Sequence, residues 1–498
     1  MTSWLFLGLA CTPSGSESGA PTSDWLGNTE TGNTETGSTE TGDSESDDDT
    51  AEPAAVDPFA PQPDESEGLR NVSTSLHDIL EHGALEGACD AWRADRTDRR
   101  KELLCGKWMF FYESFGTAGV PRSLVEFQAL GFPAELGYGF SELGMIEDPD
   151  SLTHMQIGLA EAAPMGTVKT LAFTCASCHF AQLDDGRYAV GAPNHNLDYG
   201  AVNLHLVLMP MLAMPGTDLS QHDAGAVAVV QPALDRLSAD PMLQLGLLAV
   251  FIDLLGAGSV PTFSKESEGH YADWAPGTMD FLIEPLPLDD GVHTVSRIPP
   301  LWGIPTDEEA RAAGMTDAML GWTGNTPTLT RFAQLFGEMG GGTAASEAEV
   351  QPLVRYIESL RAPDSATENE EGRAIFQADC ASCHGGPRGS GLRVYDFDEI
   401  GTDDAMRYWM DPDGDGDACC GVDDLPITNG IKSPRLVGLG AQKSFLHNGS
   451  VPSLEALLCL GTDRPTTTAE AYGDQGHLFG CELDRDEKTA LIAYLLAH

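Results

Sequence analysis

Cys175-Ala176-Ser177-Cys178-His179 and Cys380-Ala381-Ser382-Cys383-His384 are one pentapeptide written twice, and their reading decides the fold. C-x-x-C-H is the attachment sequence of c-type haem: two thiols form thioethers with the porphyrin vinyl groups, and the adjacent imidazole is then placed to ligate the iron from one face. Two other chemistries use paired cysteines. A zinc ribbon draws four ligands from two knuckles and does not require His directly after each pair. A thioredoxin-like redox pair needs a strand before the motif and a helix starting at it, whereas residues 370–378 ahead of the second motif read as a helix with apolar Ile375 and Phe376. At this composition the pentapeptide is too rare to arise twice by chance. Two covalent haems are expected, on Cys175, Cys178, Cys380 and Cys383, with His179 and His384 as proximal iron ligands.

The flanks repeat as well. After the first motif, residues 346–360 (SEAEVQPLVRYIESL) read as an amphipathic helix opened by a Ser cap, and after the second, residues 484–496 (DRDEKTALIAYLL) have the same layout. Glu349, Leu353, Tyr356 and Ile357 correspond to Glu487, Leu491, Tyr494 and Leu495 at a constant offset of 138 residues. Duplication of a cytochrome c unit accounts for motif, order and pattern together. The expected fold is all-α: two cytochrome c-like haem domains in tandem, residues 70–363 and 364–498, each crossing its N-terminal helix over its C-terminal helix. The first is enlarged by insertions.

The chain has 498 residues with 77 acidic and 27 basic side chains, a formal net charge of −50. Such a surface repels the phosphates of nucleic acid and favours a cationic redox partner, such as a cationic cytochrome, or a small diffusing reductant. Residues 1–69 hold fifteen Asp and Glu and no Lys or Arg, which leaves −35 for residues 70–498. Residues 12–69 are Gly, Ser, Thr, Pro and acid, with the internal repeat NTETGNTETGSTETG at 28–42. That composition offers too little apolar surface to offset the entropy of ordering it, so a disordered, self-repelling tether is expected. Ahead of it, the apolar run 4–10 ends at Cys11, and residues 1–11 resemble a bacterial lipoprotein signal in which Cys11 takes the lipid. The resemblance implies export to a periplasm or cell surface, with the membrane met only through the lipid. No later segment reads as a span, since the most apolar, 242–255, carries Asp253 and falls short of the roughly 18 to 20 residues required.

Gly372-Arg-Ala-Ile-Phe376, Ser444-Phe-Leu-His-Asn-Gly-Ser-Val-Pro-Ser-Leu454 and Gly476-His-Leu-Phe-Gly480 resemble the dihaem cytochrome c peroxidase superfamily, which includes the MauG-like enzymes. Ile298-Pro-Pro-Leu-Trp-Gly303 and Gly321-Trp-Thr-Gly-Asn325 are similar to its rubber-oxygenase-like branch. The likeness covers about residues 100–498 and is stronger in the C-terminal unit. It implies one electron-transfer haem and one haem where an oxidant, hydrogen peroxide or dioxygen, binds. Met410 is the last Met in the chain, leaving His447, His477 and His498 to close the second haem. In the family the distal ligand lies in the loop before the last helix, the place of His477, which implies a six-coordinate His384–iron–His477 centre. The first haem leaves more open. Met155, Met165, Met209, Met211, Met214, His195 and His205 are near in sequence, His293 reads as a surface loop residue, and Trp302 and Trp322 are candidates for an apolar distal wall. Three activities remain: peroxidase, oxygenase on an apolar substrate, and non-catalytic electron carrier.

Asp411-Pro-Asp413-Gly-Asp415-Gly-Asp417 matches the first half of a calcium loop of the EF-hand kind, with Val422 where the closing Glu would stand. Eleven cysteines less Cys11 and the four of the motifs leave six, an even number that suits disulfides in an oxidising compartment. Cys89–Cys105 and Cys459–Cys481 are the expected pairs by position, and Cys419 and Cys420 remain for a strained vicinal bridge or for cross-pairing.

Overall fold

The computed structural model describes residues 58–59 and 64–498, apart from 118, 152–154, 258–263, 281–293, 313–319, 340–344, 364–368, 391–392, 409–424, 426, 462–463 and 465–471. Cys11, nearly all of the acidic tether, His293, and the loop with Asp411, Asp413, Asp415, Asp417, Cys419 and Cys420 thus lie outside the described residues.

Two helix crossings organise the chain. Asp98 caps the Arg99–Tyr112 helix by accepting from the Lys101 amide, and the face with Leu103, Gly106 and Phe110 packs on the Glu347–Ser359 helix. In the second crossing the Glu370–Ile375 helix, capped by Asn369, packs on Arg485–Leu495. Each crossing closes on a glycine: a Cβ at Gly106 would lie 2.0 Å from the Pro352 carbonyl oxygen, and one at Gly372 2.1 Å from that of Ala490. One turn on, Phe110 meets Tyr356 at 6.0 Å between ring centres and Phe376 meets Tyr494 at 5.5 Å. Pro352 and Ala490, like Tyr356 and Tyr494, stand at the 138-residue offset read from the sequence. Both C-terminal helices open on a capping box, Ser346 with Glu349 and Asp484 with Glu487.

The all-α expectation needs a correction. Helices dominate, but five small antiparallel sheets of two or three strands lie among the described residues, most of them in the N-terminal half. The Val168–Phe173 strand runs centrally between Val120–Pro121 and Leu159–Met165. Every residue of it except Lys169 is buried, so it lacks the alternation that marks a half-exposed strand. Another helix, Pro241–Ala257, flanks this sheet and is apolar apart from Gln244 and Asp253, exposing Met242, Leu245, Leu248, Ile252 and Leu255. No single helix among the described residues is long and apolar enough to cross a membrane.

Both expected disulfides form, Cys89–Cys105 with S–S 2.05 Å and Cys459–Cys481 with 2.08 Å. The stretch read as tether is packed at its end: Leu69 is buried in the N-terminal core, and the Phe59 ring stacks on His498 at 4.2 Å beside Phe376 and Tyr494. Apolar side chains inside a polar tract are too few to show in its average composition, which is why the boundary at residue 69 comes out late.

Candidate haem-binding sites

At the first motif the chain passes from the Val168–Phe173 strand straight into the Cys175–His179 helix. Strand-then-helix is the order a thioredoxin-like pair would use, but this strand belongs to an antiparallel sheet. Thr174 caps the helix through the Ala176 amide and hydrogen-bonds the Phe111 carbonyl. The Cys178 and His179 carbonyls accept from the Asn194 and Gly191 amides, both at 2.8 Å. Gly158, at φ +97°, lies so close that a Cβ would sit 2.5 Å from the Ser177 nitrogen. Burial pushes the thiols of Cys175 and Cys178 up to about 12, far from the thiolate a redox pair uses. Burial also lowers His179 to about 4; the Pro299 carbonyl opposes this without reaching hydrogen-bond geometry with Nδ1.

Cys175, Cys178 and His179 line a cavity of about 190 Å³. Its wall is mainly apolar, with Phe115, Phe173, Phe332, Phe336 and Trp322, and its cations are Arg297, Lys432 and Arg435. Among the described residues the lining holds no carboxylate and no second histidine. Trp322 sits in that wall, its indole N–H donating to the Arg297 carbonyl at 3.3 Å and its ring under the Arg297 guanidinium at 4.7 Å. Trp302 does not line it: the ring is fully buried in the core and donates to the Val190 carbonyl at 2.7 Å. None of Met155, Met165, Met209, Met211 and Met214 reaches the lining; the methionine that does is Met279, far from the motif in sequence. His195 is tied instead to the Ala441 carbonyl at 3.0 Å, and the buried His205 has an unpartnered Nδ1.

The second motif follows a helix that widens into a π-turn over Phe376–Cys380 before the Ala381–His384 turn. His384 Nδ1 lies 2.9 Å from the Gly389 carbonyl, which fixes the proton on Nδ1 and leaves Nε2 as a lone-pair donor. Arg388 at φ +56° and Gly389 at +69° make the turn that aims this carbonyl. Opposite stands His477, its ring centre 6.3 Å from that of His384. Two imidazoles bound on either side of one metal at about 2 Å each have their centres about this far apart. His477 is held in the left-handed region at φ +46°, its amide donating to the Ile400 carbonyl at 3.0 Å. Arg464 binds the Leu457, Asp474 and Gly476 carbonyls, and Cys459–Cys481 closes the loop. Strain that a surrounding structure enforces so fully is the mark of a positioned side chain. His447 takes another place: buried, with neither ring nitrogen partnered, and its carbonyl accepting from the Arg297 amide at 2.7 Å.

Internal symmetry finds what motif reading missed. Arg297-Ile-Pro-Pro-Leu-Trp-Gly303 repeats as Lys432-Ser-Pro-Arg-Leu-Val-Gly438, and the Leu320–Thr326 bridge repeats as Phe445–Val451. Arg297 thereby matches Lys432, and Trp322 matches His447. The side chains present suit two haems. The imidazoles face a cavity or each other, and the cavity cations have no carboxylate partner among the described residues for the haem carboxylates to displace. Among the described residues no group of three or more His, Cys, Asp or Glu side chains is arranged to hold a metal ion.

No protein-family model matches the chain, and no curated protein matches it. Among solved structures, hydrazine synthase of Kuenenia stuttgartiensis under 20 bar of xenon aligns with 46 % of this chain and 79 % of its own, at 16 % identity and a TM-score of 0.27. That likeness is too low to carry an argument.

Proposed function

We propose that the protein is a tandem dihaem c-type oxidoreductase of the dihaem peroxidase type, exported and lipid-anchored, with the reactive centre at His179 and an electron relay at His384. The contrast between the two histidines supports this reading: His384 faces His477 at 6.3 Å, whereas His179 opens on a mainly apolar cavity whose lining, among the described residues, holds no second histidine. Cys175 and Cys178 would hold one haem, and Cys380 and Cys383 the other. Bound there, haem supplies one-electron and oxygen chemistry that no side chain offers. The chain's own contribution is to hold the His384 imidazole in one tautomer through Gly389, to hold His477 opposite through Arg464, and to exclude water from the His179 cavity with Phe115, Phe332, Phe336 and Trp322.

A second reading, an oxygenase acting on an apolar substrate, draws on the aromatic wall. For peroxide cleavage, which requires a distal acid or base, the described lining offers Lys432 but no carboxylate. An apolar substrate meeting dioxygen suits the same wall. Pyridine haemochrome analysis with intact mass should count two covalent haems, each of Cys178→Ala and Cys383→Ala leaving one. The resting spectrum should combine one low-spin and one high-spin haem. Two low-spin haems that bind neither peroxide nor carbon monoxide when half-reduced would leave an electron carrier. Met279 as sixth ligand would be recognised by a thioether-to-iron charge-transfer band that disappears in Met279→Leu. Oxygen uptake against peroxide consumption then separates the two enzymes.

A further inference from the structure

The segment 432–435 is a wall shared by the two motifs. On one side Lys432, Ser433, Pro434 and Arg435 line the cavity that contains Cys175, Cys178 and His179. On the other, the buried Lys432 ammonium donates to Ser390 Oγ at 2.9 Å, and Ser390 follows Gly389, whose carbonyl orients His384. The wall is firmly placed. Lys432 ends the Gly430–Lys432 strand, paired with Val394–Asp396, and its amide donates to the Trp322 carbonyl at 2.8 Å. Arg435 binds the Pro300 and Trp302 carbonyls, and Arg297 binds that of Leu446.

These three cations form no ion pair with a carboxylate among the described residues, and one guanidinium nitrogen of Arg297, Nη1, has no hydrogen-bond partner among them. An unpaired buried charge is costly, so the cluster calls for an anionic ligand group. Backbone carbonyls satisfy part of the hydrogen bonding of the arginines but none of the net charge. Within the dihaem reading, on which this inference rests, the anions at hand are the carboxylates of the haem at His179.

We infer that Lys432 is a charge link between the two centres: with Arg297 and Arg435 it seats the carboxylates of the haem at His179, and through Ser390 it steadies the turn that orients His384. It is a positioning residue, touching neither iron. A positive charge near a haem favours the added electron, so one side chain sets the reduction potential on both sides of the wall.

The test is spectroelectrochemical titration of the full-chain holoprotein, once haem analysis has counted two haems; any other count sinks the dihaem reading and this inference with it. With two haems present, Lys432→Met is expected to shift both midpoint potentials downward, and Lys432→Arg, which keeps the charge, to restore the His179 haem. A shift at one haem alone, or at neither, overturns the link while leaving the dihaem reading intact. Should Lys432→Met fail to mature, Ser390→Ala decides, because it keeps the charge and removes the anchor. It is expected to move the His384 haem alone, and any other pattern overturns the proposal.

Discussion

At Gly372 a methyl group in place of the Cα hydrogen would lie 2.1 Å from the Ala490 carbonyl oxygen and 2.7 Å from Tyr494 Cβ, so the two helices would have to part. Gly372→Ala should cost about 1–3 kcal/mol in denaturant unfolding, the range for overpacking a closed contact. Gly106→Ala should behave alike. Lys107 makes a second residue-scale prediction. It is fully buried, 2.7 Å from the Arg70 carbonyl and 3.2 Å from Glu81, and burial lowers its pKa from 10.5 to about 8. The unfolded chain keeps that proton to higher pH, so the folded state is penalised below about pH 8, and the penalty fades as pH rises from about 8 to 10.5. Urea unfolding across this window should show wild type gaining stability relative to Lys107→Met, which has no proton to lose. At His477 the expectation is spectroscopic: His477→Ala should turn the haem proposed at His384 from low-spin to high-spin without changing the haem count.

The terminal helices of each unit are the elements whose reading needed least from tertiary structure. Period and caps in residues 346–360 and 484–496 translate into Glu347–Ser359 and Arg485–Leu495, because a capping box and an apolar stripe are local facts. The Val168–Phe173 strand carried no comparable signal, being covered on both faces. The loop around His477 stands between these cases. Cys459 and Cys481, 22 residues apart, bracket it, and Arg464 ties its backbone from within. Replacing both cysteines by Ser should lower stability by about 3 kcal/mol, the chain-entropy value for a loop of this size. It should also raise the high-spin fraction of the haem proposed at His384, measured in the same samples.

Over the whole molecule, the charge of −50 governs encounter rather than fold. Reduction by a small basic cytochrome should slow by on the order of tenfold as ionic strength rises from about 0.01 M to 0.15 M, whereas a neutral reductant should show little dependence. Stopped-flow rates across that range check the proposal of a cationic partner. The docking of Phe59 against Phe376, Tyr494 and His498 ties that part of the acidic stretch to the C-terminal unit.

Local pattern was legible in the residues themselves: the paired helices at their constant offset and two disulfides follow from spacing, because helix capping and short-range cross-linking are set by neighbours along the chain. Which side chains enclose the first site was not. Trp302 and Trp322 lie in similar apolar segments, yet one is core and the other cavity wall. Met279 reaches that cavity while nearer methionines do not, and Arg297, Lys432 and Arg435 converge across more than a hundred residues. Convergence of that kind depends on how two crossed helix pairs and their strands pack against each other. Long-range packing of this sort leaves no period in the sequence, so only the folded chain reveals that a single wall, 432–435, faces both motifs.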